Sequence, residues 1–320
     1  MPSLDSQAMA THATPGTTCP RRVVLKSRKL PAWLRLRVWA SQYLYPGKNR
    51  AGWGNIVRLP FGKVLKISTG RNELEAMEFV RANTSIPLPR LYEVYERPDG
   101  TVGLVMEELP GDGTEYANMG PEQIQAFGQE LAGYLQQLRR LKPPEKGFIG
   151  SVSQGPLLDY RVGQVTFGPF HRIADFHFYL RLGGPLENWT KDPVVKEVHG
   201  RSASYSVKFT HADLNPRNIQ YHNGRIVGII DWELAGWYPE YWEYTKMHFN
   251  YWPAYEDFFA AVNSEPGIEK YPEELSAERD IWRLISTWAY DDFYEDPQNA
   301  ATVAAAIAAG AATAQNEERV

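Results

Sequence analysis

Apolar positions along the chain change period several times, and each change predicts an element. Trp33, Leu34, Val38 and Leu44 recur among basic residues, with Pro31 ahead of them and Pro46-Gly47 behind, which predicts a helix over 31–45. The pattern then turns to short β-type runs. Ile56–Leu59 and Lys63–Ile67 flank Pro60-Phe61-Gly62, the signature of a hairpin. In NELEAMEFVRA, Leu74, Met77 and Val80 return to helical spacing behind Asn72, a residue suited to a cap, and Pro87 and Pro89 close the segment. A second strand pair, 90–97 and 101–107, surrounds the turn residues Pro98-Asp99-Gly100. A long amphipathic helix follows over 121–141, with Ile124, Phe127, Leu131, Leu135 and Leu138 on one stripe. Strand signals come back only at 207–209 and around the His222-Asn223-Gly224 turn, in 219–221 and 226–230. The remainder reads as helical.

The order of these elements predicts an α+β chain with a small β-rich N-terminal lobe and a larger, mostly helical C-terminal lobe. The expected organisation is an unstructured leader over 1–22, a first lobe over 23–108, a second over 109–299 and an Ala-rich tail over 300–320. Ten alanines between Ala300 and Ala314 favour a helix with little apolar bulk to dock, fraying into Gln315–Val320. A chain of 320 residues can bury a core of this size, and 43% hydrophobic with 22% charged residues is ordinary for a globular protein.

Charge and cysteine usage narrow the function classes. A net charge of -4 argues against duplex binding by phosphate neutralisation, so no nucleic-acid partner is expected. The single Cys19 forms no internal disulfide and sits in a polar leader poorly placed for thiol catalysis. No apolar run reaches the length needed to cross a bilayer, and no membrane partner is expected. The leader lacks the order of a secretory signal. Its few acids and its Arg21-Arg22 end leave a transit peptide as the alternative to a plain unstructured terminus, and a cytoplasmic location is the expectation. Oligomeric state is not legible.

The chemistry concentrates in THADLNPRNIQYHNGRIVGIIDW, residues 210–232. Asn218 follows Asp213 by five residues. Asp231 immediately follows the second strand of the predicted hairpin. The three side chains therefore surround one hairpin, two carboxylates and an amide oxygen of the kind that suits Mg²⁺. Phosphoryl transfer of the kinase type uses such a set: an Asp to accept the hydroxyl proton, and an Asn and a second Asp to hold the metal. HxD alone is common and says little. HxDxxxxN followed by a hairpin and Asp-Trp-Glu is far rarer by chance. His211 in such a loop more often braces backbone than touches substrate.

HADLNPRN and GIIDWELAG resemble the catalytic and metal motifs of the aminoglycoside phosphotransferase and choline kinase superfamily, over residues 50–251. The tracts TSIPLPRLY and VMEELPG are similar to its fungal-type branch. The resemblance implies a protein-kinase-like bilobal fold and transfer of the γ-phosphate of ATP, or alternatively GTP, to a hydroxyl of a small molecule, with Mg²⁺. It implies Asp213 as catalytic base and Asn218 and Asp231 as metal ligands. It implies Lys66 as the lysine on the phosphates and Glu73 as its helix partner, with Glu75 and Glu78 as competitors. It implies a hinge over Val105–Gly111, with Met106, Glu107 and Leu109 at the adenine. Two departures stand out: Ala212 occupies the usual glycine of HGD, and only Gly52-Trp53-Gly54-Asn55 resembles a phosphate-covering loop.

Twelve of the 28 residues from Trp232 to Phe259 are aromatic. Most are expected in the core, with a minority lining an acceptor pocket, for which Trp237, Tyr241, Trp242 and Glu240 are the candidates. Asp291, Asp292, Glu295 and Asp296 read as a solvated acidic loop. The six-residue spacing of His171 and His177 does not suit a zinc helix. Two rival functions remain: a catalytically silent kinase fold used for binding or as a scaffold, and a kinase acting on protein, against which the missing D-F-G segment counts.

Overall fold

The computed structural model describes residues 20–45, 55–111, 118–249 and 255–317. The leader through Cys19, the Gly52-Trp53-Gly54 segment, Tyr251 and Trp252 lie outside the described residues. The fold is mixed α+β and divides into two compact units. The first comprises the described residues up to Ser68 together with Arg90–Glu107; the second comprises Thr69–Pro89 and the chain from Glu108 onward.

The first unit is a five-stranded sheet with helix α1 (Ala32–Leu44). Its strands are β1 (Arg21–Val24), β2 (Ile56–Leu59), β3 (Lys63–Thr69), β4 (Leu91–Glu96) and β5 (Val102–Glu107), in the order β1-β4-β5-β3-β2. The hairpins β2–β3 and β4–β5 are antiparallel, as the turn residues between them predict. Leu34 of α1 closes a core with Leu59, Leu65, Tyr95 and Val105, and Val38 packs against it. Strand β1 takes Arg21 and Arg22, which the sequence assigned to the leader, and pairs parallel with β4. Four residues reading RRVV carry no alternation to reveal a strand.

In the second unit α2 (Arg71–Asn83) buries Leu74, Met77 and Val80 as their spacing requires. Asn72 does not cap it. Gly70 takes the cap position ahead of Arg71, and the Asn72 amide instead donates to the carbonyls of Glu233 and Ala235, at 2.9 Å each. Helix α3 (Pro121–Arg140) turns Phe127, Leu131, Leu135 and Leu138 inward. After it come α4 (Ile173–Leu180), α5 (Pro193–Gly200), β6 (Val207–Thr210), β7 (Ile219–His222), β8 (Arg225–Ile229) and β9 (Gly236–Pro239). The predicted hairpin β7–β8 is present, and β9 pairs antiparallel with β6. No signal announced β9, because Gly-Trp-Tyr-Pro looks like a turn within an aromatic helix. Helices α6 (Trp242–His248), α7 (Glu256–Ser264), α8 (Pro272–Leu284), α9 (Thr287–Glu295) and α10 (Pro297–Glu317) complete the unit. The Ala-rich α10 docks by few anchors: Val303 is buried, and Arg172 donates to the Gly310 carbonyl at 2.8 Å.

Gly111 ends the described part of the segment that leads out of β5. Its φ is +83°, and a Cβ built there would fall well inside 3.0 Å of the Tyr221 carbonyl oxygen on β7. The backbone lies against β7 so closely that no side chain fits. Gly111→Ala is expected to destabilise the protein by about 3 kcal/mol, from left-handed strain and the clash with immobile backbone together. Urea unfolding measures it, and a loss under 1 kcal/mol would contradict the close approach.

Candidate active site

The loop between β6 and β7 is held by groups that the local sequence does not show. Buried Glu243 on α6 accepts the His211 N–H at 2.6 Å and the Ala212 N–H at 3.3 Å, one on each carboxylate oxygen. His211 is buried, and its Nε2 lies 3.0 Å from the Ile230 carbonyl, which can only accept. The proton therefore sits on Nε2. Nδ1 is left to accept the Asp213 N–H at 3.2 Å. Burial pushes the His211 pKa down to about 4, so this neutral tautomer persists at neutral pH. His211 braces backbone on both sides of the hairpin and has no exposed surface to offer a ligand.

Asp213 follows in a half-buried position. The Asn218 amide donates to its Oδ2 and to its backbone carbonyl, both at 2.8 Å. Burial raises the Asp213 pKa above its ordinary value, Lys246 and the Asn218 hydrogen bond oppose this, and Asp231 and Asp159 add to it. The Ile230 N–H donates to the Asn218 carbonyl at 2.9 Å, so the chain delivers Asp231 next to Asn218. Asp231 takes left-handed geometry, φ 67° and ψ 58°, which Asp tolerates better than most residues. The turn that follows, Trp232–Leu234, is fastened by Trp232 Nε1 on the Ile229 carbonyl.

Asp213, Asn218 and Asp231 thus come together within the second unit. A carboxylate oxygen from each of Glu73, Asp231 and Glu233 lies within 4.8 Å of the others. Such a set of hard oxygen donors fits a Mg²⁺ ion. Glu233 is absent from the sequence-based list, although it is the third letter of Asp-Trp-Glu. It also accepts the Tyr160 hydroxyl at 2.9 Å. Glu73 is the buried member of the three glutamates considered on α2, and Thr69 donates to it at 2.5 Å.

Three further residues were missed. Asp159 is fully buried; it accepts the Lys246 ammonium at 2.5 Å and the Trp242 indole N–H at 3.0 Å. Arg161 lies over the Trp242 ring, 3.9 Å from its centroid, and pairs with Glu278 at 3.2 Å. Lys246 and Asp159 both act on the charge of Asp213. No motif links these positions, because their partners lie more than 80 residues away.

On the nucleotide side, Lys66 is buried on β3 and Met106 on β5 in the first unit. Glu107 closes the β5 edge, its N–H on the Arg90 carbonyl and its Oε2 accepting the Arg90 N–H. Leu109, in the second unit, fills the space beside Gly228 that a Cβ would occupy.

The acceptor candidates are placed differently from the expectation. Trp237 is buried against Phe79 and Phe209, Trp242 stacks on Tyr238, and the Tyr241 hydroxyl meets His177 Nε2 at 2.7 Å. With at most 2% of each exposed, these three rings build the core and present no wall to a ligand. Glu240 is half-buried; its carbonyl accepts both Arg139 Nη groups, and Ser206 donates to its carboxylate. Asp291 is not solvated. It is buried on α9 and accepts the Gln164 and Val165 N–H groups, while Asp292, Glu295 and Asp296 are exposed. His171 is exposed beside Glu145, and His177 is buried in a stack on His199.

The loop and hairpin carry the arrangement that the sequence resemblance implies. The profile of the family described as "Phosphotransferase enzyme family" matches residues 55–273. The chain belongs to that family. No curated protein matches it in overall sequence. Among solved structures it is similar to a thermostable mutant of aminoglycoside phosphotransferase APH(4)-Ia in ternary complex with AMP-PNP and hygromycin B. The TM-score is 0.51 at 15% identity, over 80% of this chain and 90% of that one. The structure of aminoglycoside phosphotransferase APH(4)-Ia itself gives 0.50 at 16% identity, over 79% and 87%. At such identity the likeness establishes the fold.

Two predictions test the loop. Ala212, in the usual place of glycine, has φ 64° and is fully buried. In Ala212→Gly, relief of strain offsets the lost methyl, and stability should stay within about 1 kcal/mol of wild type. Ala212→Val should lose about 3 kcal/mol, since a β-branched residue is a true outlier there. Chemical unfolding of both variants separates the cases; equal stabilities would refute the strained turn. The second concerns Glu243, whose pKa burial pushes up from 4.5 to about 7. The folded chain keeps a proton that the unfolded chain releases, so this contribution is full below 4.5 and is lost as pH rises to about 7. Glu243→Gln cannot titrate. Relative to the variant, wild type should lose stability by about 1.4 kcal/mol per pH unit through that window, measured by urea melts at pH 5 and 7.5.

Proposed function

We propose that the chain transfers the γ-phosphate of ATP, with GTP as the alternative donor, to a hydroxyl of a small molecule. The observation that carries the reading is the clamped Asp213. Asn218 occupies its Oδ2, which leaves Oδ1 for the acceptor hydroxyl. The carboxylate orients that hydroxyl and accepts its proton as the new O–P bond forms and the nucleoside diphosphate departs. The raised pKa of Asp213 makes it a better proton acceptor than an ordinary surface carboxylate. Asn218, Asp231, Glu233 and Glu73 are the groups that would hold Mg²⁺, which when bound supplies neutralisation of the phosphate charge. Lys66 is the proposed phosphate contact and Glu73 its proposed partner. Met106, Glu107 and Leu109 are the proposed hinge. No helix among the described residues is long and apolar enough to cross a membrane.

The test is release of nucleoside diphosphate from Mg-ATP and Mg-GTP against a panel of hydroxyl-bearing metabolites. Hygromycin B, bound in the similar structure, is the first acceptor to try. Asp213→Ala should lower turnover by about 10³-fold while leaving nucleotide binding by calorimetry intact. Unchanged turnover in that variant would remove Asp213 from the chemistry. Absence of Mg-nucleotide binding by wild type would favour the silent-fold reading.

A further inference from the structure

Helix α1 has two apolar faces, and the sheet uses one of them. At 100° per residue, Leu34, Val38 and Ser41 share the face packed on the sheet. Leu36, Trp39 and Tyr43 fall on the opposite face, and Trp33 and Leu44 extend it along one side, where the Trp33 ring also meets Tyr95 of the sheet at 6.2 Å. Each of the α1 residues on this stripe is more than 40% exposed, Leu36 61% and Tyr43 69%. Five large apolar side chains on one exposed stripe of 13 residues are costly to leave in water, and they lie in one place rather than scattered. The borders of the stripe are cationic. Arg35 flanks it on one side and Arg37 on the other, with Arg37 over the Trp33 ring at 5.6 Å from its centroid. From Arg21 to Tyr45 the chain holds seven Lys and Arg residues and no Asp or Glu, within a protein whose net charge is -4. Arg22 and Arg28 are paired with Glu96 and Asp99 on the sheet side.

We propose that α1 is a peripheral docking helix for an anionic lipid surface. Trp and Tyr are the side chains that favour the boundary between headgroup and acyl chain, and Leu36 and Leu44 add buried area beneath them. Arg35 and Arg37 then lie level with the headgroups, where each cation adds to the attraction for anionic lipid. A second protein molecule is the rival occupant, but the cations that α1 itself sets along the stripe select a negatively charged plane rather than another copy of this same face. The expectation of no membrane partner rested on the lack of an apolar run long enough to span a bilayer, and a helix lying in the interface needs no such run. The proposal is independent of the transfer reaction.

The test is co-sedimentation of the full chain with vesicles of phosphatidylcholine alone and with 30% phosphatidylserine, at about 0.1 M salt. Wild type should pellet with the anionic vesicles and remain in solution with the neutral ones. Arg35→Ala with Arg37→Ala should weaken binding about thirtyfold. Leu36→Ser with Tyr43→Ser should weaken it at least tenfold. Both pairs are exposed, so melting temperature should not move; a variant that melts early is replaced by Trp39→Ser, read in the same assay. Three outcomes overturn the proposal: no binding by wild type, equal binding to neutral vesicles, or a concentration-dependent dimer in sedimentation velocity that Leu36→Ser abolishes.

Discussion

The buried Glu243 carboxylate is the constraint on which the site depends. Two consecutive backbone N–H groups, those of His211 and Ala212, point at it. The carboxylate fixes the peptide groups that flank His211, and Ala212 then turns the chain in left-handed geometry just beyond that anchor. The turn in turn aims Asp213 back across the loop toward Asn218. Remove the acceptor and two buried donors are orphaned, at about 1–3 kcal/mol each, and the loop loses the anchor just ahead of its strained residue. Helix α6 therefore acts on the loop more than on substrate. One turn of it carries Trp242, Glu243 and Lys246: Glu243 holds the loop, and the other two hold Asp159.

That arrangement explains the aromatic excess. Charged groups are expensive in a core unless each is paired, and pairing demands geometry that only a rigid surround preserves. Asp159, Arg161, Lys246 and Glu278 lie among Trp242, Tyr238, Phe176 and Tyr290, flat rings that pack densely; the Trp242 indole N–H donates to Asp159, and the Tyr238 and Tyr290 hydroxyls donate to backbone carbonyls. The imidazole pair His177 and His199, stacked at 4.0 Å, follows the same logic, since burial drives both toward the neutral form. The rings from Trp232 onward are the matrix that lets the second unit carry buried charge. An acceptor pocket, if built from this unit, draws on exposed groups such as Tyr160 rather than on Trp237, Tyr241 or Trp242.

Much of the fold was legible because local rules agreed with tertiary need. The 56–67 hairpin, the 91–107 pair, α2, α3 and the 219–229 hairpin each combined the right period with the right turn residues, and each stands within a residue or two of its predicted bounds. Strands β1 and β9 were hidden because neither RRVV nor Gly-Trp-Tyr-Pro alternates or adjoins a hairpin turn, and their partners β4 and β6 are distant in sequence. Asp213, Asn218 and Asp231 were legible because a single hairpin brings them together, so that their sequence spacing is also their spatial relation. Glu243, Asp159 and Lys246 were not. Glu243 and Lys246 in an aromatic run read as the polar side of a surface helix, and only the packing of α6 against the β6–β7 loop and against Asp159 in the loop after α3 reveals their partners. The expected solvated character of Asp291 failed for the same reason, since its partners are backbone amides at 164 and 165.

Ala212 shows how sequence and strain must be read together. By itself the exchange of a glycine for an alanine in HAD looks conservative, since both are small. The φ of 64° makes it a statement about energy: the turn is imposed on a residue that resists it. Such a conformation persists only where the surroundings over-determine it, and here they do. Glu243 holds the backbone N–H groups of His211 and Ala212, His211 bolts the loop to the Ile230 carbonyl, and Asn218 closes it from Asp213. Three independent fastenings on three residues leave the loop almost no freedom to relax. The alanine is thus evidence for the rigidity of the site, because a looser loop would have turned away from left-handed geometry as soon as the glycine was absent.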